Sequence, residues 1–76
     1  METTANFVVI IQGKIDEETF DRMTSILDLI GATLINKNIG DKVNEYYYFI
    51  RQKHVIHTQK ILIDQINNKK ITYKCL

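Results

Sequence analysis

A single cysteine, Cys75, leaves this 76-residue chain without the means to build an internal disulfide framework. Long apolar runs are also missing. The longest uncharged apolar stretch, Phe7 to Ile11, falls far below the roughly 18 residues that a membrane span needs. No charged n-region followed by an apolar core opens the chain, so a soluble protein in a reducing cytoplasm is expected. Charge of one sign is lacking as well: 10 Lys and Arg stand against 9 Asp and Glu, a net charge of +1. That balance is too mild to argue for nucleic acid, whose phosphates are held by several bases placed together. No catalytic motif, metal-ligand framework or phosphate loop is present, so no catalytic residue, metal site or cofactor is expected, and an enzyme is the least expected class. Proline is absent, and residues with AT-rich codons (Phe, Tyr, Met, Ile, Asn, Lys) make up 36 of the 76. Stand-alone domains of this size from AT-rich genomes are often phage or mobile-element accessory proteins, and that association is the expected setting.

What the chain does have is an aromatic run, Tyr46-Tyr47-Tyr48-Phe49-Ile50, with three of its four tyrosines. A strand has period two, so Tyr46, Tyr48 and Ile50 share one face, Tyr47 and Phe49 the other, and both faces are apolar. Phe7-Val8-Val9-Ile10-Ile11 is a second run without alternation, the mark of a strand buried on both sides. A domain of this size buries only about 60% of the surface its unfolded chain exposes, so cover for two such strands is short and self-association is the simplest remedy.

Between these strands lies a clear helix. Asp16 suits the N-cap, Glu17 and Glu18 favour the positive end of the helix dipole, and Ile15 can staple onto Phe20. Phe20, Met23, Ile26, Leu27 and Ile30 follow at helical spacing, and Gly31 stands where a left-handed C-cap is wanted. The acids Asp16, Glu17, Glu18 and Asp21 are explained by the same end-of-helix electrostatics, without a metal. Ala32 to Ile39 is expected as an edge strand, with Ile35 and Ile39 on one face and Asn36 and Asn38 on the other. Gly40-Asp41 suits a two-residue type II′ hairpin loop, with Gly40 at positive φ, which would set Ile35 opposite Tyr46, Thr33 opposite Tyr48 and Leu34 opposite Tyr47. A second helix is expected from Gln52 to Asn67, with Val55, Leu62 and Ile66 inward, and a last strand from Ile71 to Leu76. His54 and His57, three apart, lack a third ligand, and Cys75 has no evident base beside it.

This order, βαββαβ, predicts one domain spanning residues 1–76: an α+β fold with a four-stranded antiparallel sheet and both helices on one face, resembling the ferredoxin-like arrangement. The expected helix-facing set is Phe7, Val9, Ile11, Ile35, Tyr46, Tyr48, Ile50, Ile71 and Tyr73. The open face should show Val8, Ile10, Leu34, Tyr47 and Phe49, an apolar patch on the order of 400 Å² that calls for a partner.

Three functions compete. The leading one is a small non-enzymatic protein-interaction module, self-associating as a homo-oligomer, that binds a protein through Val8, Ile10, Leu34, Tyr47 and Phe49 and inhibits or regulates it. The second is a binder of single-stranded RNA or DNA, with Tyr47 and Phe49 as stacking platforms and Arg51, Lys53 and Lys74 as phosphate contacts. Aromatics on the central strands resemble those of RNA-recognition domains, whose strand signature also carries glycine and basic residues that Val43 to Arg51 do not supply. The third is a small-ligand sensor at a dimer interface, for which Leu29-Ile30-Gly31-Ala32-Thr33 is similar to the helix-to-strand corner of ACT-type regulatory domains.

Overall fold

The computed structural model describes residues 4–76. Its elements run β1 (Phe7–Gln12), α1 (Glu17–Ile30), β2 (Thr33–Ile39), β3 (Val43–Phe49), a single 3₁₀ turn (Gln52–His54), α2 (Val55–Gln65) and β4 (Ile71–Cys75). The strands form one antiparallel sheet in the order β2-β3-β1-β4, so the two non-alternating strands are the central ones. This is the ferredoxin-like α+β arrangement that the element order predicts.

The core lies between the sheet and the helices. Phe7, Val9 and Ile11 from β1, Tyr48 from β3 and Ile71 and Tyr73 from β4 meet Met23 and Leu27 of α1 and Val55 and Leu62 of α2. Phe20 packs at the margin of this cluster, its ring 5.5 Å from that of Tyr46 and tilted by 58°. Ile15 packs there too, as the staple requires. Asp16 is extended (φ −70°, ψ 151°), and its carboxylate accepts from the Thr19 hydroxyl rather than from a backbone N–H. That bond holds the Asp16 carboxyl below its ordinary value. At the other end Gly31 takes φ 87°, Gly31 N–H donates to Asp28 O, and Ala32 N–H reaches Leu27 O, closing the helix as a left-handed cap.

The hairpin differs from the expectation. Gly40 N–H donates to Val43 O at 3.1 Å, so the two loop residues are Asp41 and Lys42, not Gly40 and Asp41. Only Gly13 and Gly31 have positive φ among the described residues, so Gly40 is not the first residue of a II′ turn. Glycine is needed at position 40 for space: a Cβ there would lie 2.8 Å from the Val43 carbonyl oxygen. The register follows the loop. Asn36 opposes Tyr47, Lys37 opposes Tyr46, and a bulge at Ile35 then sets Leu34 opposite Tyr48 and Thr33 opposite Phe49. Leu34 therefore shares the helix side with Tyr48 and does not belong to the open face. Ile35, expected in the core, is the extra residue of the bulge and is 39% exposed.

The strand ends are tied by Asn6, a residue whose part was not legible from pattern. Its side-chain amide exchanges two hydrogen bonds with the Ile50 backbone, Nδ2 to Ile50 O at 2.6 Å and Ile50 N to Oδ1 at 2.9 Å. Its own N–H donates to Tyr48 O, and its carbonyl accepts from Leu76 N–H. One asparagine thus clips β1, the end of β3 and the end of β4 together. Thr58, buried in α2, donates its hydroxyl to His54 O at 2.7 Å and so enters the core without an unpaired group.

Candidate functional site

Cross-strand partners fix what the open face displays. One row across the sheet is Asn36, Tyr47, Val8 and Lys74; the next is Asn38, Glu45, Ile10 and Thr72. Phe49 lies beside Thr33 further along. Of the expected partner-binding residues, Tyr47, Phe49 and Ile10 are half-buried on this face, whereas Val8 is only 2% exposed, enclosed between its row neighbours. With Val8 covered and Leu34 on the other side, the open face is a smaller apolar surface than the sequence suggests.

The charges on that face are mixed. Glu45 stands two residues from Tyr47 on the same side and accepts a hydrogen bond from Asn38 Nδ2 at 3.2 Å. Partial desolvation, followed by the Glu45 carboxylate, raises the Tyr47 phenol above its ordinary value of 10.0. Lys74 sits one place beyond Val8, while Arg51 follows β3 and Lys53 lies in the 3₁₀ turn; all three are exposed. They share one end of the sheet, but only Lys74 stands in the rows that cross Tyr47 and Ile10.

The two sheet edges are unlike each other. At β4, Gln59 of α2 reaches over the edge and donates from Nε2 to Tyr73 O at 2.9 Å, and Ile71 N–H is taken by Asn68 O at 3.0 Å. Those two bonds cap part of that edge, and its apolar residues Ile71 and Tyr73 are buried. At β2 all seven residues are exposed, including Leu34 (46%), Ile35 and Ile39 (58%). The cap recorded on the outer side of β2 is local, Lys37 N–H to the side-chain Oδ1 of Asn36 at 2.9 Å. β2 shows apolar side chains and unpaired strand backbone together, the surface on which another strand can be added.

A concavity of about 360 Å³ opens beneath the start of α1, lined by Ile11, Lys14, Ile15, Phe20, Asn44 and Tyr46. It is the feature that a small-ligand reading would use. Among the described residues no three His, Cys, Asp or Glu side chains are grouped to hold a metal ion, and no helix is long and apolar enough to cross a membrane. His57 is exposed, His54 and Cys75 are half-buried, and Cys75 is a free thiol. The chain matches no protein-family model and has no significant match among curated proteins or solved structures.

Proposed function

We propose that this chain is a non-enzymatic protein-interaction module that recognises a protein partner by strand addition at β2 and thereby inhibits or regulates it. The observation that carries the reading is the exposure of β2 along its whole length, with Leu34, Ile35 and Ile39 uncovered, while at β4 the apolar Ile71 and Tyr73 are buried and Gln59 and Asn68 cap part of the edge. Edge strands in stable monomers are commonly kept short, charged or covered, and an apolar edge left open is a place for another chain. The open sheet face of Ile10, Tyr47 and Phe49 is then a secondary contact. Nucleic-acid binding is the weaker reading, because a stacking platform at Tyr47 would bring phosphates toward the Glu45 carboxylate with Lys74 alone to offset it.

The test is differential retention. Tagged chain is incubated with a protein extract in parallel with an Ile39→Lys chain, which charges the edge, and a Tyr47→Ser/Phe49→Ser chain, which strips the open face. The expected outcome is a defined protein held by the wild type and by the open-face variant but lost from the edge variant. Retention by all three chains, or loss only from the open-face variant, would move the site away from β2.

A further inference from the structure

Gly40 N–H donates across to Val43, so Gly40 and Asn38 bond toward β3 and the residues alternating with them, Ile39 and Lys37, turn their N–H and C=O outward. An antiparallel strand can therefore exchange bonds with Ile39 and Lys37, and past Gly40 it meets the loop residue Asp41. The bulge at Ile35 bends the other half of β2 and confines regular pairing to this half.

We infer that, while its protein partner is absent, the β2 edge is held by a second copy of this chain, paired antiparallel about a two-fold axis through Ile39. The inference rests on the reading of β2 as the binding edge. In that register Ile39 meets Ile39 of the second copy, apolar on apolar. Lys37 of each copy is brought beside Asp41 in the loop of the other, so opposite charges meet at both ends of the contact. A register centred on Lys37 instead would set two ammonium groups face to face. Gly40 lies opposite Asn38 of the second copy and offers no side chain to obstruct it. The Asn36 amide that holds Lys37 N–H in the single chain releases it to the incoming strand.

The contact joins β2 to β2 about a two-fold axis, so it closes at two copies and gives an eight-stranded sheet whose outer edges are the two partly capped β4 strands. Few residues pair, so the dimer belongs with the small, transient interfaces and depends on concentration.

The experiment is sedimentation equilibrium of the full chain in a Cys75→Ser background at low salt, from about 10 μM to 1 mM, the range in which small interfaces exchange. Lys37→Asp and Asp41→Lys should each weaken dimerisation about fivefold or more, and the double reversal should restore it to within about twofold. Paired residues that exchange bonds lie about 5.5 Å apart at Cα, within disulfide range, so an Ile39→Cys chain should cross-link to itself on mild oxidation. A Leu29→Cys chain, with its cysteine on the exposed face of α1, should not. A chain that stays monomeric throughout, or a dimer indifferent to the charge reversals and to cysteine at position 39, overturns the inference. If the chain is monomeric but Ile39→Lys still abolishes retention of a protein from extract, the inference fails while the interaction-module reading stands. If the dimer forms as described and no extract protein distinguishes the variants, the inference stands and regulation of another protein fails.

Discussion

Replacing Asn6 removes more than one side chain's worth of structure, because its amide substitutes for a strand partner at the end of β3. Ile50 is 1% exposed, and both its N–H and its carbonyl are satisfied by Asn6 alone in the side-chain bonds observed. Asn6→Ala leaves both groups without that partner near the core. Each net hydrogen bond contributes about 1 kcal/mol, and stranding a buried group costs about as much again, so a loss of about 2–3 kcal/mol is expected. Asn6→Asp keeps an oxygen to accept from Ile50 N–H, but it places a second oxygen where Nδ2 stood, 2.6 Å from the Ile50 carbonyl. At neutral pH it should cost at least as much as the alanine. Urea melts followed by circular dichroism measure both, with an unchanged slope showing that stability alone has moved. A loss below about 0.5 kcal/mol for either variant would mean that water replaces the amide freely, and that Asn6 does not clip the strand ends.

Leu62→Ala, at a position with no exposure, should cost about 3 kcal/mol, and Phe20→Ala, at the margin of the core, about 2 kcal/mol; thermal and urea melts of the pair would show the reverse order if the helix-facing core is centred on α1's first turn. Gly40→Ala should destabilise by about 1–2 kcal/mol because its Cβ meets the Val43 carbonyl, whereas Asp41→Asn should be nearly neutral for folding; equal effects would place the loop elsewhere. Burial pushes the Tyr73 phenol up to about 12. The unfolded chain gives up that proton first, near pH 10, so the contribution is complete below about pH 10 and is lost as pH rises toward 12. Alkaline unfolding followed by tyrosinate absorbance should show this step, and Tyr73→Phe should remove it while also losing the 3.2 Å bond to Ile66 O.

Much of the fold was legible because its signals are local. The αL position of Gly31, the helical spacing from Phe20 to Ile30 and the non-alternating run Phe7 to Ile11 each depend on a few neighbouring residues, and the element order with right-handed crossovers then leaves one sheet arrangement. The register of β2 was not legible. A strand's register is specified by the face it buries, and β2 buries neither, so a plausible turn at Gly40-Asp41 could not be told from the Asp41-Lys42 loop that forms. The bulge at Ile35 then moved Leu34 to the helix side, and the candidate surface shifted with it from the open face toward the edge. Two features that decide which surfaces remain free, Gln59 over β4 and Asn6 at the strand ends, are contacts between residues 14 and 44 positions apart. By itself the sequence determined which segments fold and which of them lie at the centre, because propensity and periodicity act over a few residues. Only the tertiary structure decided which backbone groups and apolar side chains are left without a partner, because that depends on which distant residues happen to reach them.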